Sequence, residues 1–233
     1  MITVRRSSER GHVNHDWLES YHTFSFSSYQ DPRFNGFHAL RVINDDRVAP
    51  GRGFGAHAHR DMEILSYVLD GQLAHKDSMG HTRTLGPNEI QRMSAGAGVI
   101  HSEFNGSETE SVHFLQIWIE PSKFGVPPSY EQYRFEPEEK RNRWKTLASN
   151  SPVPGAVTIH QDAHVYLTEL TPGSEIAQDM DGNRAAWVHV TSGDVRMNGE
   201  ALAAGDAAAV SEEAKIQLTA GDKGAEVILF DLA

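Results

Sequence analysis

Residues 56–64 read AHAHRDMEI, and residues 99–105 read VIHSEFN. His57 and His59 stand two apart in the first stretch, as His101 and Glu103 do in the second. A β-strand sends residues i and i+2 to one face, so each pair aims both of its side chains at the same side of a sheet. If the two strands face each other, three imidazoles and a carboxylate meet at one point.

The surrounding chain supports strands. Helical periodicity is nearly absent, and short β-rich runs recur instead: HALRVI (38–43), EILSYVL (63–69), VHFLQIWI (112–119), VYLTEL (165–170), AAWVHVT (185–191) and AEVILFDL (225–232). Turn formers separate them, among them DG at 70–71, GPN at 86–88, TPG at 171–173 and SGD at 192–194. Many short strands at close spacing predict an all-β sandwich or barrel.

An internal repeat predicts two such barrels. Pro50-Gly51 recurs as Pro172-Gly173 and VLDG (68–71) as VTSG (190–193), both at an offset of 122 residues. LGPNE (85–89) answers LAAGD (202–206) at an offset of 117. Between the copies, residues 120–144 are rich in proline and charge and read as a connector, punctuated by SNSPVPG (149–155). The expected division is an N-terminal domain of residues 1–135 and a C-terminal one of 136–233.

Composition narrows the chemistry. Of the 233 residues none is cysteine, which excludes disulfides, thiolate metal sites and thiol catalysis. Any metal is therefore held by nitrogen and oxygen donors. The formal charge of −11 and the lack of a dense Lys/Arg run argue against direct nucleic-acid binding. The most basic stretch, EEKRNRWK (138–145), opens on two acids. No stretch reads as a signal peptide or a membrane span, so the cytoplasm is the expected compartment.

The spacing around the histidines matches a known pattern. Gly51, His57, His59, Glu63 and Gly71 follow the first cupin motif, with one extra residue before the last glycine. Gly98, His101 and Asn105 follow the end of the second; Gly96 replaces its proline, and its leading glycine stands four residues early as Gly86. More narrowly, FGAHAHRDMEILSYVLDGQLAHKDSMG with IQRMSAGAGVIHSEFN resembles the pirin family, a bicupin group of two tandem jelly-roll barrels. WLESYHTFSFSSYQDP (17–32) is similar to the N-terminal segment of its bacterial, quercetinase-like branch. The likeness is specific over most of the first 135 residues and fades in the second half to a rhythm of strands.

This resemblance implies the ligand set His57, His59, His101 and Glu103 for one divalent metal per chain. Fe2+ is the expected ion; Mn, Co, Ni, Cu and Zn suit the same donors. Cupins in general use the glutamate of the first motif, here Glu63, which remains either an alternative ligand or the partner of a ligand histidine. The resemblance further implies quercetin 2,3-dioxygenase activity: a flavonol binds through its 3-hydroxyl, dioxygen opens the central ring and carbon monoxide leaves, with Glu103 doubling as base. The alternative within the family is a non-enzymatic, metal-bound regulator acting through protein partners. The remaining histidines, His75 and His160 among them, read as surface or packing residues. At the corresponding positions of the second copy stand Asp179, Asp181 and Ala185, and KIQLTA (215–220) replaces VIHSEF. The C-terminal barrel is accordingly expected to hold no metal.

Overall fold

The computed structural model describes all 233 residues. Its strands begin with β1 (Ile2–Arg5), β2 (Gly11–His15), β3 (Leu18–His22), β4 (Leu40–Val48), β5 (Gly53–His59), β6 (Glu63–Asp70) and β7 (Leu73–Asp77). There follow β8 (Thr82–Leu85), β9 (Glu89–Ser94), β10 (Val99–Asn105), β11 (Val112–Ile119), β12 (Ser129–Arg134), β13 (Lys145–Ser149) and β14 (Val157–Thr158). The last are β15 (Ala163–Leu170), β16 (Glu175–Asp179), β17 (Ala185–Met197), β18 (Glu200–Ala203), β19 (Ala207–Ser211) and β20 (Lys215–Leu232). Helix is confined to two single turns, Ser7–Glu9 and Pro137–Glu139, and no helix is long and apolar enough to cross a membrane.

The chain forms two units. One joins residues 11–135 to 150–161; the other joins 1–10, 136–149 and 162–233. Two segments thus lie on the far side of a cut drawn at residue 135. The first ten residues belong to the second unit because β1 pairs antiparallel with β19, Ile2 opposite Val210. Residues 150–161 belong to the first, where His160 reaches Glu63 and the Thr158 amide donates to Glu131.

The first unit is built of two sheets. One has the order β12-β9-β6-β11-β4-β3-β2 and the other β5-β10-β7-β8. The ladders within both are antiparallel, as hairpins and short crossings require. The β6 run EILSYVL is buried almost end to end because it is central in its sheet, between β9 and β11. The β6–β7 turn needs the left-handed backbone of Gly71 (φ +80°), whose Cβ would strike the Ser111 carbonyl. Gly53 permits a close approach: a Cβ there would overlap the Phe104 Cα, so only glycine lets β5 start tight against β10.

In the second unit the strands run β1-β19-β17-β20-β15-β13, with β18 on β17 and β16 on β20. Its interior is filled by apolar side chains, among them Val188, Val190, Met197, Leu202, Leu218 and Leu229. Ile216, Leu218 and Ala220, at the positions compared with the His101 strand, belong to that core. Asp179 pairs with Lys215 and its side chain is 87% exposed, while Asp181 caps the turn at Asn183. The apolar side chains occupy the interior of this barrel.

Candidate metal centre

The alternation expected for β10 is present. Val99, His101, Glu103 and Asn105 are buried, while Ile100 and Phe104 between them are about half exposed, at 52% and 41%. On β5, His57 and His59 turn inward and Ala56 and Ala58 outward. The two strands are antiparallel neighbours, with His101 opposite His57 and Val99 opposite His59. A bulge between His101 and Glu103 sets Glu103 opposite Phe54.

This register gathers the three imidazoles. The Nε2 atoms of His57 and His101 are 3.0 Å apart, and His59 lies with its ring centroid 4.7 Å from that of His57 and 4.9 Å from that of His101. One nitrogen from each of the three falls within 4.8 Å of the other two. His57 Nδ1 is 2.8 Å from the Gly55 carbonyl oxygen, an acceptor that places the proton on Nδ1 and leaves Nε2 with its lone pair inward. Desolvation, reinforced by the neighbouring imidazoles, lowers His59 to about 4 and His101 to about 3. These rings are neutral at neutral pH. That is the state a metal binds.

Glu103 is wholly buried and accepts hydrogen bonds from the Ser66 hydroxyl (3.1 Å) and the Gln116 amide (2.5 Å). Burial raises its carboxyl from 4.5 to about 7 against the pull of those two donors. A carboxylate oxygen of Glu103 falls within 4.8 Å of nitrogens of His101 and His75, a second group that shares His101 with the first. His75 does more than pack: the structure sets it opposite Glu103 in the β7–β10 ladder. Its Nε2 lies 3.1 Å from Asp77, which also accepts from the backbone amides of Met79 and His81, and Tyr130 packs against both His75 and His81. The two-residue period behind HxH gives no sign of a lone histidine on another strand. Only the sheet order brings it in.

Glu63 lies elsewhere. Residues 60–62 leave β5 through a turn, with Asp61 at φ +48°, and β6 begins in the other sheet. Strand parity with His57 and His59 therefore does not carry across. The Glu63 carboxylate is bonded by the Ser94 hydroxyl (2.7 Å) and by His160 Nδ1 (3.0 Å), and it joins neither histidine group. Asn105, at the end of the second motif, uses its amide on the Val48 and Glu110 carbonyls and so fixes the turn after β10.

A cavity opens beside the histidines. It is lined by His57, His59 and Glu103, by the apolar Leu18, Phe26, Phe54 and Trp118, and by a polar group from β3, β4 and β11: Ser20, His22, Asn44, Asp46 and Gln116. Trp118 meets His59 and Phe26 edge-on, at 5.0 and 5.5 Å, so the wall next to the histidines is aromatic.

Two jelly-roll barrels in one chain, the first with a histidine cluster facing a cavity, define a bicupin. The family model described as Pirin matches residues 3–119, and that described as Quercetinase C-terminal cupin domain matches residues 146–232. The chain belongs to the pirin family. It is 45% identical to a protein of Escherichia coli K12 named quercetin 2,3-dioxygenase, over 100% of this chain and 99% of that one. A pirin-like protein of Caulobacter vibrioides is 39% identical over the full length of both. The crystal structure of the bacterial pirin YhhW from E. coli in complex with nickel(II) superposes with a TM-score of 0.94 at 44% identity, covering 100% of this chain and 99% of that one.

Proposed function

We propose that this protein is a metal-dependent dioxygenase that opens the central ring of a flavonol, at a single divalent metal held by His57, His59, His101 and Glu103. The observation that carries this reading is the convergence of three imidazoles beside a buried carboxylate on a cavity with an aromatic wall. The donor set fits an ion of the iron-to-zinc series, which prefers imidazole nitrogen with carboxylate. His101 also has a buried Nδ1 with no partner, so its ring is oriented by packing among the other imidazoles. When bound, the ion supplies positive charge that makes the flavonol 3-hydroxyl more acidic, and the electronic coupling that reaction with dioxygen requires.

The chain's own residues perform the remaining work. Glu103, a buried carboxylate beside the histidines, takes the 3-hydroxyl proton. Ser66 and Gln116 hold its carboxylate in place through that transfer. Phe26, Phe54 and Trp118 take the flat rings of the substrate and exclude water from the reacting carbons. Relatives that share the whole chain length carry an enzyme's name, and a cavity reaching the ligands is what an oxygenase needs and a purely surface-acting regulator does not.

The test is turnover of quercetin by protein purified without a histidine tag and analysed for metal. Loss of the flavonol with release of carbon monoxide, stopping when dioxygen is removed, is the expected result. The same metal analysis decides among iron, nickel and the other candidate ions. Flavonol loss that continues without dioxygen sinks the reading.

A further inference from the structure

The three ligand histidines stand on the four-stranded sheet, but the cavity beside them is closed by the other sheet. Beside Leu18 and Trp118 that opposite wall carries polar groups that an aromatic ring by itself would not need. Asn44 and Asp46 sit two apart on β4 and both face the cavity. Across the ladders Asn44 stands opposite Gln116 and His22, and Asp46 stands opposite Ser20. Both side chains are more than nine-tenths buried. The Asn44 Oδ1 has no hydrogen-bond partner, and Asp46 receives one hydrogen bond, from the Ser20 hydroxyl to Oδ1.

Buried acceptors without donors are costly unless something supplies a donor. Nothing in the metal chemistry uses them: Gln116 is committed to Glu103, and neither Asn44 nor Asp46 belongs to the histidine groups. A ligand anchored at the metal by one oxygen and ending in plain hydrocarbon would cover these oxygens and leave them unpaired. A ligand with a hydroxyl on its far side would satisfy them.

We infer that Asn44 and Asp46 are a hydroxyl-reading pair that selects substrates carrying a second phenolic hydroxyl, away from the one bound at the metal. This rests on the flavonol reading of the site and deepens it, from flavonols in general to those hydroxylated on a ring other than the central one. The two oxygens accept; the substrate hydroxyl donates. An analogue lacking the hydroxyl is penalised by the acceptors it strands, which discriminates far more sharply than a missing apolar contact does.

The experiment is calorimetric binding of two flavonols to nickel(II)-loaded protein under nitrogen, so that no turnover intervenes. Quercetin carries hydroxyls on both outer rings; 3-hydroxyflavone keeps only the metal-side hydroxyl and carbonyl. The native protein is expected to favour quercetin by about tenfold or more. Asn44→Leu, with the same branched outline, should bring that ratio close to one at equal metal content. Asp46→Asn, nearly isosteric and therefore safe for folding, should lower it by about two- to fivefold. Equal affinities in the native protein, an unchanged ratio in both variants, or no binding of either flavonol overturns the inference. A native preference that vanishes in the variants, with no flavonol cleavage in air, upholds it and overturns the dioxygenase reading instead.

Discussion

His160 Nδ1 lies 3.0 Å from Glu63 Oε1, tying the segment 150–161 to the first residue of β6. The glutamate that other cupins use as a ligand is thus engaged by His160 and Ser94 and joins neither group of clustered histidines. Glu63→Gln and His160→Ala are expected to retain full metal content and to lower stability by about 1–3 kcal/mol, the usual effect of disturbing a buried charged hydrogen bond. Thermal unfolding and elemental analysis check the pair. Loss of metal from Glu63→Gln would return that residue to the ligand set.

Metal retention distinguishes the histidines from one another. His101→Ala removes the donor common to both groups and should abolish tight binding. His75→Ala leaves His57, His59 and His101 intact, so metal should stay while turnover falls by about 10–100-fold, the scale of a residue that supports ligands rather than binding the ion. Asp179→Ala with Asp181→Ala should change nothing, because those carboxylates are at the surface and the second barrel is packed with apolar groups. Elemental analysis of each variant is expected to show one ion per chain, except for His101→Ala.

Metal affinity should depend on pH through the Glu103 proton. In the metal-free protein His59 and His101 have already lost theirs above about 4, whereas burial keeps Glu103 protonated up to about 7. Binding to an ionised Glu103 must then displace that proton below pH 7. Affinity is expected to fall by about tenfold per pH unit from about 7 towards about 5 and to be flat above about 7.5. In Glu103→Gln the slope should disappear. A slope that persists in that variant would assign the proton to another group.

Asp46 makes folding itself pH-dependent. Its carboxyl is raised from 3.8 to about 7 by burial, so the folded chain holds a proton that the unfolded chain releases. The stabilisation this provides is complete below about pH 4 and is lost as pH rises through about 7, at ~1.4 kcal/mol for each pH unit between those two values. Asp46→Asn, permanently neutral, should therefore melt several degrees above the native protein at about pH 8 and alongside it at about pH 4. Equal melting temperatures under the alkaline condition would show that Asp46 is ionised at no cost.

The residues that carry the site are legible as soon as the strands are. HxH and HxE impose their geometry through the two-residue period of an extended chain, which is a local property of backbone stereochemistry. Gly53 and Gly71 are likewise local: one permits the close approach of β5 to β10, the other a left-handed turn. The second half, with Asp179 and Asp181 opposite the HxH pair and KIQLTA in place of VIHSEF, already lacks the imidazole donors of the first.

Other features depend on which strands become neighbours, and that is settled by burial of the whole chain at once. The parity linking Glu63 to His57 and His59 ends at the turn around Asp61, because the next strand enters the other sheet. His75 comes to Glu103 through the pairing of β7 with β10, and His160 comes to Glu63 across 97 residues. Asn44 and Asp46 belong to no motif; they reach the cavity because β4 lies next to β11 in the sheet that closes it. Local spacing determined what donors the chain offers, and long-range packing decided which of them share a site, since only the packed sheets exclude the water that would otherwise satisfy each group separately.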